Sequence, residues 1–170
     1  MFEKLPNSSA CFVCGDRNPS GLSVRFATDG ERVVTLFTPR EAQMGYNGVT
    51  HGGIIAALLD ETMGWALAVA NRRFCLTVEI TVKYIKPVPI GVEIEVTGWV
   101  TDGLRRIWGA EGEVRDSAGM LYARAKGRYM PVSDEQTRDV VGYLQFDESC
   151  VGPQRICRIC DDHESLVRDE

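Results

Sequence analysis

The sequence predicts an α+β fold in which an antiparallel sheet wraps around one long central helix. The first sign is a nearly unbroken apolar run at 54–70, typical of a helix buried on most sides. The second is a series of later segments in which apolar and polar residues alternate, as in half-buried strands. A helix that is apolar all round needs cover on more than one face, which a curled sheet supplies. A chain of 170 residues is long enough for one such domain.

Two short stretches rich in β-forming residues precede the helix, at 22–27 and 33–37. The turn-forming residues 28–31 between them predict a hairpin. We expect the helix to begin near Thr50 or His51 and to end at 71–73, where two arginines suit a helix C-terminus.

Strands are predicted for the region that follows the helix. Residues 76–84 alternate between apolar and polar with a period of two, so this strand is expected to bury one face. The pattern continues over 92–100 to a turn at Asp102 and Gly103. Segments 106–114 and 120–130, joined by the turn 116–119, complete an antiparallel meander.

Two flanking regions complete the predicted organisation, in which the domain covers 22–133. An N-terminal segment, 1–21, carries one Cys-x-x-Cys pair, and an acidic C-terminal extension, 134–170, carries another. The two pairs, Cys11 with Cys14 and Cys157 with Cys160, are the usual halves of a four-thiolate structural zinc site. The alternative is that the first pair packs as ordinary thiols.

The composition favours an acidic cytoplasmic protein. A net charge of −5 argues against a general nucleic-acid binder. We expect no membrane partner, because no apolar run is long and charge-free enough to span a bilayer and 1–10 lacks a secretory signal pattern. In the cytosol the six cysteines are expected to be reduced thiols or metal ligands instead of a disulfide framework.

The predicted helix combines an open N-terminus with acids inside an apolar run. It starts with His51, Gly52 and Gly53, so its first N–H groups and the positive end of its dipole are free to hold a developing negative oxygen. Asp60 and Glu61 interrupt the apolar run. Buried carboxylates are rare unless they are paired or functional.

These features together resemble the hotdog-fold acyl-CoA thioesterases of the phenylacetate-pathway type. The resemblance covers about 22–130 and rests on the His-Gly-Gly tripeptide, an acid nine residues after the histidine, and a strand followed by Lys86 and Pro87. It implies a hotdog fold and hydrolysis of an acyl-CoA thioester to the free acid and coenzyme A. It also implies that catalysis requires no cofactor.

The resemblance assigns roles to four residues. The catalytic acid, acting as general base or nucleophile, falls on Asp60, and the oxyanion donor on the amide of Gly52. His51 would lie beside the thioester carbonyl, and Thr77 would position the attacking water or the carboxylate. One departure is Gly45, which stands where some relatives have an assisting asparagine.

Each of these residues also has an ordinary structural interpretation. His51 can simply begin a helix, Asp60 can be a hydrogen-bonded structural acid, and Thr77 can be a strand threonine. Glu61 is the rival acid, but adjacent helical positions point about 100° apart, and the family offset selects Asp60.

The spacing of the site residues predicts a homodimer. Nine helical residues separate His51 from Asp60, a rise of roughly 13 Å over about two and a half turns. One chain cannot easily bring both to one thioester, whereas an isologous dimer can. The resemblance implies such a dimer with two shared active sites, often doubled into a homotetramer.

Substrate recognition is less defined by the sequence. Basic residues on two segments are candidates for the coenzyme A phosphates, although a solvated sheet face is the default interpretation: Arg105, Arg106, Arg124, Lys126 and Arg128. Met63, Trp65, Leu67 and Phe74 are candidates for the acyl pocket. Alternative functions are an acyl-thioester hydratase or dehydratase on the same fold, or a non-catalytic acyl-CoA-binding sensor.

Overall fold

The computed structural model describes residues 1–102 and 106–160 and confirms the predicted α+β fold. One sheet of seven strands has the order β1-β2-β3-β5-β6-β7-β4, and all neighbouring strands are antiparallel. The strands are β1 (Glu3–Lys4), β2 (Phe26–Thr28), β3 (Arg32–Phe37), β4 (Cys75–Tyr84), β5 (Ile94–Asp102), β6 (Trp108–Asp116) and β7 (Leu121–Pro131). The helices are α1 (Gly52–Asn71) and α2 (Asp134–Val141), with short 3-10 helices at Glu41–Gln43 and Pro153–Arg155.

Most predicted elements are confirmed with small shifts of their ends, but of the first strand, predicted over 22–27, only residues 26 and 27 lie in β2. The hairpin is formed by β2 and β3, the meander by β5, β6 and β7, and the turn between β6 and β7 is closed by a hydrogen bond from Gly119 N to Asp116 O. Of the predicted turn after β5, Asp102 still belongs to the strand and Gly103 lies outside the described residues.

Helix α1 begins and ends where its sequence provides caps. His51 is the N-cap, and its Nδ1 accepts a hydrogen bond from the N–H of Gly53 at 2.9 Å. At the other end Arg72 adopts a left-handed conformation, with φ of 51°, which terminates the helix. The C-terminal extension holds this arginine, since Arg158 N donates to Arg72 O and Arg72 Nε donates to Gln154 O.

The sheet lies unusually close to α1 because two strand residues lack side chains. A Cβ on Gly98 of β5 would lie 3.0 Å from the backbone of Thr62, and one on Gly112 of β6 would lie 3.2 Å from a methyl of Leu59. Four large apolar side chains of α1 are completely buried: Leu58, Leu59, Met63 and Leu67. Each such side chain contributes about 1.5–3 kcal/mol through removal of apolar surface from water.

Helix α1 corrects one expectation about membranes. By length and composition alone, Gly52–Asn71 is apolar enough to cross a bilayer, so the statement that no run meets this criterion was wrong. Half of an 18-residue stretch of this helix is buried inside the fold, where α1 is the core helix. A core helix of this kind passes the same test as a membrane span.

Strand β4 does not bury one face within a single chain, which corrects the prediction for 76–84. Leu76 and Val78 are 62% and 56% exposed, and a bulge between Thr77 and Glu79 shifts the register of pairing with β7. Within the part of the chain that the structure describes, β4 pairs with no strand other than β7. Its alternation therefore marks a surface that lacks cover in one chain.

Residues 134–160 pack against the other end of the chain. Ser133 and Gln136 form a capping box at the start of α2. Beyond α2, isolated bridges join Gln145 to Asn7 and Cys150 to Lys4, and Ile156 is fully buried. The N-terminal segment and the extension thus meet beside the C-terminal end of α1.

Candidate active site

The carboxylate of Asp60 is held by two hydroxyl groups from the sheet. Thr77 Oγ1 on β4 donates a hydrogen bond to Asp60 Oδ1 at 2.9 Å, and Tyr129 Oη on β7 donates to the same oxygen at 3.1 Å. Tyr129 also contacts the backbone carbonyl of Asp60 at 3.3 Å. Among the described residues no group donates to Oδ2, so the carboxylate has one fixed and one available oxygen.

Tyr129 is the functional residue that sequence reasoning missed. It lies directly opposite Thr77 in the pairing of β4 with β7, which brings both hydroxyls to one carboxylate. Burial is the main cause that raises the pKa of Tyr129 well above its ordinary range. The phenol therefore stays protonated and can donate a hydrogen bond. Gly127 makes room for the ring, since a Cβ there would lie 2.4 Å from Tyr129 Cε2.

A signal for Tyr129 is present in the alternation of β7. Residues at 123, 125 and 127 are small and buried, while those at 124, 126 and 128 are charged and exposed. Tyr129 continues the buried series and is the first member of it with a polar group. A hydroxyl on the face that covers an acid-bearing helix is a reasonable candidate partner for that acid.

A cavity of about 270 Å³ opens beside Asp60. Thr77 and Tyr129 line it together with two of the predicted acyl-pocket residues, Trp65 and Phe74. Val140 and Leu144 of the C-terminal extension form another part of its wall. The other two predicted residues are core side chains, since Met63 and Leu67 are fully buried and do not line this cavity.

The His51 end of α1 forms a different environment. His51 is exposed and its Nδ1 is used in capping, which is the ordinary structural role considered for it. The N–H of Gly52, the first helical residue, has no acceptor within the helix. Tyr84 Oη donates to Gly52 O at 2.8 Å, and both residues line a second cavity of about 360 Å³.

Gly45 packs directly against His51. A Cβ at this position would lie 3.1 Å from His51 Cα and 3.3 Å from its ring, so a larger residue would displace the histidine. The assisting asparagine of some relatives would therefore not fit at position 45 unless His51 moved.

Within one chain, the structure brings together Asp60 and Thr77 but not the remaining two predicted site residues. Asp60 and Thr77 line the first cavity, and Gly52 lines the second. The nine-residue offset from His51 to Asp60 corresponds to roughly 13 Å along α1. The single chain therefore places Asp60 with Thr77, and His51 with Gly52, at two separate positions along one helix.

Glu61, the rival acid, points to the N-terminal segment and not to Thr77. Its Oε2 accepts a hydrogen bond from Cys11 Sγ at 3.1 Å. Burial, which removes water from the carboxylate, raises the pKa of Glu61 to about 8. A hydrogen bond from Cys14 is the largest influence on Cys11 and lowers the pKa of that thiol to about 5.

The two Cys-x-x-Cys pairs do not form one site, which corrects the predicted four-thiolate zinc. Cys157 and Cys160 are joined by a disulfide, so neither offers a thiolate, and the expectation of reduced cysteines was wrong for this pair. Cys11 and Cys14 remain free thiols. A sequence separation of three lets a Cys-x-x-Cys pair close on itself, and spacing alone does not distinguish this from metal binding.

The basic residues of β7 are paired with acids on the outer face of the sheet. Lys126 Nζ lies 2.9 Å from Glu111, and Arg124 and Arg128 approach Glu113 and Glu79 within 4 Å. These pairs are solvated. Arg106 is also exposed, and Arg105 lies outside the described residues. A role of any of these residues in binding phosphate stays a prediction.

Comparisons with known proteins agree with this fold. Residues 47–123 match the family model described as the Thioesterase superfamily. The acyl-coenzyme A thioesterase THEM4 of Xenopus laevis is 43% identical over 60 residues, which are 35% of this chain and 27% of that protein.

Solved structures of thioesterase superfamily proteins are also similar. The thioesterase superfamily protein RHA08564 has a TM-score of 0.67 and 25% identity, covering 72% of this chain and 60% of that one. Thioesterase superfamily member 2 of zebra fish has a TM-score of 0.61 and 22% identity, covering 66% and 88%. The protein smu.793 of Streptococcus mutans, solved with acetyl-CoA, has a TM-score of 0.57 and 18% identity, covering 61% and 82%.

These matches show that residues 47–123 are similar to the Thioesterase superfamily and that the chain has the hotdog fold of the solved relatives. The resemblance inferred from the His-Gly-Gly tripeptide and the helical acid is thereby confirmed. The chain spans 27% of the length of the Xenopus relative and 60% of RHA08564.

Proposed function

We propose that this protein hydrolyses an acyl-CoA thioester to the free acid and coenzyme A. The observation that carries the proposal is the Asp60 carboxylate, oriented by two hydroxyls at the edge of a largely apolar cavity. The thioesterase-superfamily match and the similarity to an acyl-coenzyme A thioesterase support the same reaction class.

In the proposed mechanism, Asp60 supplies the reactive oxygen. Thr77 and Tyr129 hold Oδ1, so Oδ2 is directed either to a water, which it deprotonates, or to the thioester carbon, which it attacks. The Gly52 N–H and the positive end of the α1 dipole stabilise the oxyanion that develops on the thioester carbonyl. Collapse of the tetrahedral intermediate breaks the carbon–sulfur bond and releases coenzyme A as a thiolate. In the first route, the proton that Asp60 took from water passes to this thiolate, and the free acid is formed directly. In the second route, a water then hydrolyses the acyl-Asp60 anhydride, which frees the acid and Asp60, and a proton from that water neutralises the thiolate.

The mechanism requires a partner chain. We propose an isologous homodimer in which the His51–Gly52 end of one α1 meets the Asp60 cavity of the other chain. The unpaired edge of β4 and its exposed Leu76 and Val78 support this arrangement, because association would cover both. A homotetramer formed by pairing two dimers, and a cytoplasmic location without membrane or nucleic-acid partners, remain part of the proposal.

Thiol release from a panel of acyl-CoA esters tests the proposed function. Aromatic, short aliphatic and long aliphatic esters are each incubated with the protein and with its Asp60→Asn variant, which controls for contaminating thioesterases. Release of free coenzyme A that depends on Asp60 is expected for at least one ester. Loss of enoyl absorbance without thiol release would indicate a hydratase. Saturable binding without turnover would indicate an acyl-CoA sensor, and either result would overturn the proposal.

A further inference from the structure

A second cluster of reactive side chains lies one residue from the proposed catalytic acid. The sulfur atoms of Cys11 and Cys14 and a carboxylate oxygen of Glu61 are all within 4.8 Å of one another. Cys14 is buried, while Cys11 and Glu61 are partly buried. Two separate parts of the chain, the N-terminal segment and α1, thus direct three ligand-type atoms to one point.

The backbone around the two cysteines forms a tight turn that fixes their sulfur atoms. The N–H of Val13 donates to Cys11 Sγ at 3.3 Å, and the N–H of Gly15 donates to Cys11 O at 3.0 Å. Gly15 has no room for a side chain, because a Cβ would lie 2.3 Å from Cys11 O. An N–H directed at sulfur stabilises a thiolate, so the turn prepares Cys11 to be a ligand.

Glu61 has no cationic partner that would explain its position. Among the described residues no lysine, arginine or histidine forms an ion pair with its carboxylate. When the carboxylate and the two thiols are deprotonated, three negative charges lie together in a partly buried position, and a bound cation offsets them. Two sulfur ligands and one carboxylate select zinc or a similar borderline-soft divalent ion over magnesium or calcium.

We propose that Cys11, Cys14 and Glu61 bind one zinc-type divalent cation, with the fourth coordination position open to the cavity beside Asp60. All three residues line that cavity. Binding would release the protons held by the ligands to solvent, leaving two thiolates and a carboxylate on the ion. The ion would tie the N-terminal segment to α1 immediately after Asp60. This site uses neither Cys157 nor Cys160, which distinguishes it from the four-thiolate arrangement.

Cobalt and zinc titrations of the full-length protein test this site without any activity measurement. The protein is stripped with a chelator under reducing conditions and titrated with Co²⁺, whose thiolate charge-transfer and visible absorption bands report tetrahedral sulfur ligation. Zn²⁺ should then displace the cobalt. We expect about one equivalent of metal per chain and a higher unfolding temperature of the loaded protein.

Matched variants define the ligands. Cys11→Ser, Cys14→Ser and Glu61→Gln should each weaken binding by at least about tenfold, the loss that even outer-shell partners cause. Cys75→Ser removes a free thiol from the same cavity but outside the cluster and should bind metal normally. The double variant Cys157→Ser/Cys160→Ser should also retain binding, and far-UV circular dichroism checks the fold of each variant.

Two results would overturn the proposal. One is less than about a tenth of an equivalent of bound metal in the reduced wild-type protein. The other is binding that survives in folded Cys11→Ser and Glu61→Gln proteins but is lost with the Cys157→Ser/Cys160→Ser pair. Neither result depends on thioester hydrolysis, so this test and the test of the proposed function fail independently.

Discussion

The α1 segment from His51 to Asp60 has two ends, and they differ in how many groups of the same chain surround them. At the Asp60 end, two sheet hydroxyls hold the carboxylate at the edge of a cavity that the flanking segments help to line. At the His51 end, the histidine is exposed and the first helical N–H has no acceptor within the helix. Under the proposed function, each chain preorganises its own acid, and the oxyanion donor that meets this acid comes from another copy.

The largest expected effect comes from the acid. Asp60→Asn removes the reactive oxygen while preserving size and hydrogen bonding, so kcat should fall by about a hundredfold or more. Glu61→Gln is the matched control, since Glu61 contacts Cys11 and not the two hydroxyls, and it should lose far less activity. Steady-state thiol release measures both. Equal losses at the two positions would contradict the assignment of Asp60.

Mixing two inactive variants tests whether the two ends meet across a dimer. If each site takes His51 from one chain and Asp60 from the other, a mixed dimer of His51→Ala and Asp60→Asn contains one intact site. With random pairing about half of the dimers are mixed, so activity should recover to about a quarter of the wild-type value per chain.

The measurement is hydrolysis after co-refolding, with mixed dimers confirmed by mass. The mixing experiment requires that the His51→Ala protein alone hydrolyse the substrate much more slowly than the wild type. Mixed dimers that recover no activity would show that each site lies within one chain.

Removing one hydroxyl at a time should have an intermediate effect. Tyr129→Phe and Thr77→Val each delete one donor to Asp60 Oδ1, and each should reduce kcat by roughly tenfold because the carboxylate is less well oriented. Stopped or continuous thiol-release assays at saturating substrate measure this change. A change confined to KM would instead assign these hydroxyls to substrate binding.

The smallest expected effect concerns stability at the His51 end. His51→Ala removes the side-chain acceptor for the Gly53 N–H, which should lower the free energy of unfolding by about 1 kcal/mol. His51→Asn restores a capping side chain and should recover most of that loss. Chemical denaturation of the three proteins at one concentration provides the comparison. An unchanged denaturation midpoint for His51→Ala would contradict the capping role of His51.

Local sequence signals were sufficient for the fold and for the expectation that Asp60 and Thr77 lie together. The limits of α1 followed from its glycines, its apolar run and its terminal arginines, and the pairing of Asp60 with Thr77 agreed with the family motif. Tyr129 was missed because its role depends on cross-strand register with β4, which a single strand does not encode. The disulfide between Cys157 and Cys160 was missed because a Cys-x-x-Cys spacing suits both a bridge and a metal.

The alternation of β4 shows a different limit of sequence reasoning. Its apolar residues were correctly recognised as strand residues, but Leu76 and Val78 are exposed in the single chain. A period of two indicates which side of a strand avoids water, yet it does not say whether the cover comes from the same chain. Oligomeric contacts and internal contacts leave the same pattern.

The cavity beside Asp60 has walls of two different origins. The two hydroxyls come from the sheet, whereas Val140 and Leu144 come from the C-terminal extension and make no hydrogen bond to the acid. If the proposed function holds, substitutions in the extension can therefore enlarge or narrow the space for an acyl group without altering the chemical groups that act on the thioester. Under the proposed function, a lineage of such proteins is able to acquire new substrates through its extension while its reaction stays the same.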